Sequence, residues 1–259
     1  MSDPMRSILE NLAVSRSWFH RTLKRTRRKI ATQRMVSSLL LSDSAFLSLF
    51  DIDELSALLG QRRMSEAKAF LIDHFERRVE RDWLDSPDVI TDLRIKLSDL
   101  SRKQLIANAD AILDFRLSPE NTLPRISSDG KIDWCFNPIS SPEWLWRLNR
   151  HQWWNILGKA YACTGHERYA EAFVAQMLDW VDRNPPPGIK NEKSPTWRLM
   201  EAGMRMQISW LPSFALFYGS QSFTGSAKLV MLRSIYDHAR FLFMFKTNRN
   251  HLLRESNGL

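Results

Sequence analysis

The chain has 259 residues, of which 44% are hydrophobic, so it is long enough to bury a large core. Its nine glycines are too few for an all-β protein with many tight turns, and no apolar run reaches the ~18 residues that cross a bilayer. The net charge of +8 comes from residues 16–34, which hold eight Lys and Arg and no acid, because the other 29 basic residues balance the 29 acidic ones. Two cysteines and six histidines without ligand spacing predict no metal, no disulfide framework and no cofactor.

Residues 1–79 are predicted to form a helical N-terminal extension that contains the basic segment 16–34. Apolar residues recur at helical spacing there, and one predicted helix face carries Ala69, Ile72, Phe75 and Val79. The basic segment could bind nucleic acid or an anionic membrane surface, but a solvated helix face is the simpler interpretation. A nucleic-acid partner is therefore not favoured.

The second domain is predicted to span residues 80–259. Residues 117–142 are rich in Pro, Ser, Asn and Asp and predict an irregular segment. Four helices are predicted after it, the third of them interrupted by Pro212, over residues 143–163, 167–183, 196–218 and 226–245. The predicted class is all-α, with antiparallel helical hairpins that could stack as a bundle, a solenoid or a ring.

Two segments combine tryptophans with cations. Residues 133–154 contain five Trp together with Arg147, Asn149, Arg150 and His151. Residues 194–210 contain Trp197, Arg198, Glu201 and Arg205. Such a mixture suits a sugar-binding groove, since indoles offer flat apolar faces and cations bind carboxylates. Core packing for the tryptophans and an internal Glu–Arg pair are the alternatives.

A third candidate site lies near the end of the chain, at Asn250, His251 and Glu255. Glu255 follows His251 by four residues, so on a helix its carboxylate can orient the imidazole and raise its basicity. Asn250 can donate two N–H bonds to a carboxylate. This set is suited to removing a proton beside a carboxylate, although an isolated Asn–His pair has little specificity.

Four segments occur in a recognisable order. They read FNPISSPEWLWRLNRHQWWNILGKAYACTGHERYAEAFVAQMLDWVDRNPPP, PTWRLMEAGMR, FTGSAKLVMLRSIYDHARFL and NRNHLLRESNGL. Together they resemble the N-terminal domain of the heparinase II/III-like polysaccharide lyases, relatives of the heparan-sulfate and alginate lyases. The resemblance implies an incomplete α/α toroid followed by a C-terminal β-sandwich domain. It also implies β-elimination on an acidic, uronate-containing polysaccharide.

The resemblance also implies roles for individual residues. Asn250 would neutralise the uronate carboxylate, His251 would be the base or assist it, and Glu255 would orient His251. Trp146 would stack on a sugar ring. The remaining cleft residues implied are Arg147, Asn149, Arg150, His151, Trp197 and Arg198.

The chain departs from the family pattern at its end. The catalytic Tyr of these lyases follows the Asn–His pair, whereas nothing here follows Leu259. We therefore expect a chain truncated inside its active site, with little lyase activity alone and a β domain expected in cis. A non-catalytic polysaccharide-binding remnant and a helical interaction protein that uses residues 16–34 are the alternatives. No export signal is visible, which favours the cytoplasm, whereas the resemblance favours the periplasm.

Overall fold

The computed structural model describes residues 37–79, 99–115, 125–126, 131–189, 191 and 193–245. Within these ranges the regular elements are helices, apart from an isolated antiparallel bridge between Ile126 and Ile132. The predicted all-α class is therefore confirmed. The basic segment 16–34 and the residues from Lys246 onwards, including Asn250, His251 and Glu255, lie outside the described residues.

The N-terminal helices precede the irregular segment. They are a 3-10 turn at Ser38–Leu40, α1 (Asp43–Leu47), α2 (Asp53–Gly60), α3 (Met64–Val79) and α4 (Asp99–Leu113). The C-terminal helices follow it. They are α5 (Pro142–Leu148), α6 (Trp153–Thr164), α7 (Glu167–Arg183), α8 (Leu199–Arg205), a π-helical turn (Met206–Trp210), α9 (Leu211–Phe217) and α10 (Gly225–Phe245). None of the described helices is both long and apolar enough to cross a membrane.

Helix α3 buries a face that shares only Phe75 with the one the sequence predicts. Ala67, Leu71 and Phe75 are buried, whereas Ala69 is exposed and Ile72 is only partly buried. Both sets have helical spacing, so periodicity alone does not separate them. The face that is buried is decided by α1, α2 and α10, which pack against α3.

The N-terminal helices are fastened to α10 by buried polar contacts. Asp237 of α10 accepts hydrogen bonds from the Ser38 amide (2.8 Å) and the Ser37 hydroxyl (2.9 Å). Arg233, one turn earlier, pairs with Asp43 at 2.7 Å. Residues of α1, α3 and α10 therefore belong to one hydrophobic core. The predicted domain boundary at residue 80 falls where the described residues stop, and it stays a prediction.

The C-terminal helices pack against one another. Helices α6 and α7 form a hairpin whose turn contains Gly165, with a left-handed φ of 71° that suits glycine. The predicted apolar stripe of α7 is confirmed, because all its members are buried: Tyr169, Phe173, Met177, Trp180 and Val181. Helix α10 packs against α3, α7 and α8 and is buried throughout residues 231–242.

Pro212 reshapes the third predicted helix without ending it. Proline has no N–H to donate to the carbonyl of Ile208, four residues earlier. The helix widens there into the π-helical turn, in which the Leu211 amide reaches the Met206 carbonyl. The side-chain amide of Asn155 on α6 donates to the Ile208 carbonyl at 2.6 Å. A neighbouring helix thus supplies the donor that proline lacks.

Candidate functional site

The turn between α5 and α6 corrects the prediction of one continuous helix over residues 143–163. The helix stops at Asn149, and His151 adopts a left-handed φ of 56°. The Trp154 amide donates a hydrogen bond to the His151 carbonyl at 3.1 Å, and the Ser209 hydroxyl donates to the same carbonyl at 2.6 Å. Trp146 and Trp154 therefore belong to different helices and do not share one helical face.

The side chain of Asn149 explains why the helix breaks at this point. Its amide nitrogen donates to the carbonyls of Trp134 (3.0 Å) and Leu145 (2.9 Å), and its oxygen accepts from the Trp180 indole at 2.9 Å. Asn149 has no solvent exposure. Burying an amide is favourable only when its bonds are made, so these partners select the broken conformation.

The imidazole of His151 is surrounded by the indole rings of tryptophans. It stacks on Trp154 with ring centroids 4.2 Å apart and meets Trp134 and Trp180 edge to face. Burial, followed by the charge of nearby Arg205, lowers the pKa of His151 well below its usual value. The Trp210 indole donates to Nδ1 at 3.1 Å, which places the hydrogen of the neutral ring on Nε2.

Arg205 connects this turn to α8 and α10. Its guanidinium donates to the carbonyls of Asn149 (2.8 Å) and Thr196 (2.7 Å) and to His238 Nε2 (3.0 Å), and it lies over Trp180. The residue has no exposed surface, and burial lowers its pKa to about 9. The sequence offered Arg205 as an anion-binding group; this expectation was wrong, because the guanidinium is directed inward to protein acceptors.

Trp197 packs beside this buried arginine. Its indole N–H donates to the Asn184 carbonyl at 2.9 Å, and its ring lies against His238 and Phe241. His238 accepts from Arg205 at Nε2, so its Nδ1 carries the hydrogen and donates to the Ser234 carbonyl at 2.7 Å. Trp197 is only 2% exposed. It is therefore a core residue beneath the surface described next.

A group of charged side chains and one indole lies above this aromatic layer. We call it the ion-pair cluster, and its members come from α5, the following turn and the start of α8: Glu143, Trp146, Arg147, Arg150, Arg198 and Glu201. Three arginines against two glutamates leave it with a formal charge of +1. The chain thus brings cations and an indole together from two segments about 50 residues apart.

Glu201 occupies the centre of the ion-pair cluster. One carboxylate oxygen accepts from Arg150 Nε and the other from Arg198, both at 2.7 Å. The Glu201 side chain is fully buried, whereas those of Arg150 and Arg198 are 8% and 15% exposed. A buried carboxylate requires such pairing, because removing an unpaired charge from water costs several kcal/mol.

The outer side of the ion-pair cluster faces solvent. Glu143 accepts from Arg147 at 3.2 Å and from Arg150 at 3.1 Å, and the side chains of Glu143 and Arg147 are both 43% exposed. The Arg198 guanidinium lies 3.9 Å from the centre of the Trp146 ring, whose N–H donates to the backbone. This arrangement can bind an anionic group beside a flat apolar one.

The predicted site residues therefore fall into three groups. Four meet in the ion-pair cluster: Trp146, Arg147, Arg150 and Arg198. Three lie beneath it in the core: Asn149, His151 and Trp197. Three lie outside the described residues: Asn250, His251 and Glu255. Their predicted roles stay predictions.

Glu143 and the central position of Glu201 were missed as site features. The sequence does show that Arg198 and Glu201 are three residues apart, which predicts a local pair. It carries no signal that Arg150 reaches the same carboxylate from 51 residues away. In the part of the chain that the structure describes, no group of three or more His, Cys, Asp or Glu could hold a metal ion.

The chain matches a known family and several known proteins. The family described as Heparinase II/III N-terminus matches residues 46–259. A heparin-sulfate lyase of Bacteroides stercoris is 26% identical over 222 residues, which cover 79% of this chain and 32% of the relative. A heparin-sulfate lyase of Pedobacter heparinus is 29% identical over 192 residues, covering 73% of this chain and 28% of the relative. The chain thus spans about a third of the length of the curated relatives it matches.

A solved structure is similar over most of the chain. The heparan sulfate lyase HepC from Pedobacter heparinus superposes with a TM-score of 0.63 at 25% identity, covering 78% of this chain and 32% of that one. The predicted fold, an incomplete α/α toroid of helical hairpins, is confirmed by this similarity.

Proposed function

Because the chain belongs to the Heparinase II/III N-terminus family, we propose that it is the helical domain of a polysaccharide lyase for heparan-sulfate-type chains. The match over residues 46–259 is the observation that carries the proposal. The relatives named heparin-sulfate lyase support that substrate class over alginate.

The proposed reaction is β-elimination, and it sets specific demands on the protein. The C5 proton of a uronate is weakly acidic, so a base can remove this proton only when the neighbouring carboxylate has been neutralised. We assign neutralisation to Asn250, proton removal or assistance to His251, and orientation of His251 to Glu255. An acid must also protonate the leaving glycosidic oxygen. None of the four tyrosines of this chain is assigned to that step.

Helix α10 is the last element that the structure describes before these three residues, and it is held firmly in the core. Its last described residue, Phe245, precedes Asn250 by five positions. The helix is held by Arg205 through His238 and by the Ser38 amide through Asp237. Catalytic groups need support from a rigid element, because small displacements weaken transition-state contacts.

We further propose that the ion-pair cluster binds the polysaccharide. Arg147 and Arg150 would meet carboxylates or sulfates, while Arg198 and Trp146 would present a charged and an apolar surface to a sugar ring. The buried Asn149, His151 and Trp197 would support this surface from below. Hydrogen bonds from Asn149 and Ser209 hold the turn that carries Arg150, which favours a supporting role.

The test combines binding with product detection on the 259-residue chain. Calorimetry with heparan sulfate oligosaccharides should show binding that weakens with salt, since charged contacts are screened. Arg147→Glu should weaken binding roughly three- to tenfold, whereas Arg168→Glu should leave it near wild type. The Arg168 side chain is a matched control, because it is also exposed and also pairs with a carboxylate, Asp110, on another surface.

Product formation would be positive evidence for a lyase. Absorbance from unsaturated uronate would support a lyase, and its loss in His251→Ala would support the assigned base. Binding without product agrees with both candidates, the helical domain of a lyase and a polysaccharide-binding domain, because the helical domain alone is expected to have little lyase activity. A chain that binds neither heparan sulfate nor alginate would refute the proposed function.

A further inference from the structure

We propose that Glu201 is a positioning residue, which holds Arg150 and Arg198 side by side for the anionic groups of the polysaccharide. This inference rests on the proposed function. Glu201 itself is fully buried, so it acts through the two arginines and does not contact the sugar.

The two oxygens of the Glu201 carboxylate accept hydrogen bonds from two different arginines. Arg150 Nε uses one oxygen and Arg198 uses the other, each at 2.7 Å. The two arginines come from different segments, one from the turn after α5 and the other from the N-terminal boundary of α8. Without a carboxylate between them, the two guanidiniums would repel each other.

Each arginine has a second contact that extends away from Glu201. Arg150 also donates to Glu143, which is 43% exposed, at 3.1 Å. Arg198 lies against the ring of Trp146. Glu201 therefore fixes the inner side of both guanidiniums, and their outer sides meet the groups that form the surface.

A positioning role and simple electrostatics predict opposite results for Glu201→Gln. The substitution removes a negative charge, so electrostatics alone predicts tighter binding to a polyanion. If Glu201 aligns the arginines, binding should weaken although the chain has become more positive. A residue important only for stability would lower the melting temperature without weakening binding of the folded chain.

The control is Glu167→Gln, which makes the same change in charge at a distant place. Glu167 starts α7, roughly 20 Å along the helix from Trp180 at a rise of 1.5 Å per residue. Its carboxylate accepts from Ser220 and from the amide of Ser222, in the turn before α10. Glu167 therefore stabilises the turn before α10 and does not belong to the ion-pair cluster.

The experiment measures the binding of heparan sulfate oligosaccharides to the 259-residue chain at fixed ionic strength, well below each variant's melting temperature. We expect Glu201→Gln to bind on the order of tenfold more weakly than wild type, and Glu167→Gln to bind as wild type or slightly more tightly. Glu143→Gln should bind more tightly, because it removes the negative charge that competes with the polysaccharide for Arg147 and Arg150.

Each outcome decides the inference. Glu201→Gln binding as tightly as Glu167→Gln would overturn the positioning role and leave the proposed function standing. Failure of the wild-type chain to bind would overturn both. If Glu201→Gln does not fold, Glu201→Asp decides, because it keeps the charge and withdraws it by one methylene. Weaker binding by Glu201→Asp supports positioning, and unchanged binding overturns it.

Discussion

Replacing Arg205 with Met should lower the free energy of unfolding by about 2–4 kcal/mol. Met retains most of the side-chain length but has no N–H. Three buried acceptors then lose their donor: the carbonyls of Asn149 and Thr196 and the Nε2 atom of His238. Each unsatisfied buried group costs about 1–3 kcal/mol. The loss is offset in part, because the folded state no longer buries a charge whose desolvation costs several kcal/mol.

The measurement is equilibrium unfolding in urea at neutral pH, followed by circular dichroism. Domains usually have a free energy of unfolding of about 5–15 kcal/mol, so a change of the expected size can be measured. Arg183→Met is the matched control, since Arg183 donates to the Ile132 carbonyl at 2.8 Å but its side chain is 40% exposed. The control should lose less than about 1 kcal/mol. Equal losses in the two variants would refute the reasoning that burial makes the Arg205 contacts indispensable.

Two further variants test packing and pH dependence. Gly158→Ala should lower the free energy of unfolding by about 1–2 kcal/mol despite its better helix propensity, because the added Cβ would lie 2.7 Å from a methyl of Leu216. Gly60→Ala is the control and should not destabilise the chain, since nothing lies within 4 Å of its added Cβ. An unchanged melting temperature for Gly158→Ala would contradict the packing of Gly158 against Leu216. Partial burial raises the pKa of Glu167, but hydrogen bonds from Ser220 and the following turn outweigh it and lower the pKa to about 2. This stabilisation is present above the ordinary pKa of 4.5 and is lost as pH falls toward 2. The free energy of unfolding of Glu167→Gln should therefore fall less steeply than that of wild type over this pH interval. Parallel plots of the free energy of unfolding against pH for the two proteins would contradict this prediction.

The helices of the C-terminal half were predictable because helical periodicity is a local property. Helix α7 begins and ends where its apolar spacing predicts, and α10 differs from its predicted start by one residue. An amphipathic stripe records which side will be buried when one face is clearly apolar. In α3, two overlapping apolar sets compete, and only packing against α1, α2 and α10 selects the set containing Ala67 and Leu71.

The candidate site was predictable in composition and not in arrangement. Trp146, Arg147, Arg150 and Arg198 were identified by residue type and by resemblance, and they do meet in the structure. Their neighbours Asn149 and His151 have similar polarity in the sequence yet lie in the core. Adjacent positions in a turn can point in opposite directions, so residue type alone does not tell surface from interior.

The amino-acid sequence by itself determined the all-α class, the paired helices and the family, because these depend on spacing within a few residues and on the order of motifs along the chain. Only the tertiary structure decided where the helix breaks at Asn149, that Arg205 is an internal bridge, and that Glu201 joins Arg150 to Arg198. Each of these depends on at least one partner that is 15 to 56 residues away in the chain. Hydrogen bonds and ion pairs of this kind gain their strength from burial, and burial is a property of the assembled fold.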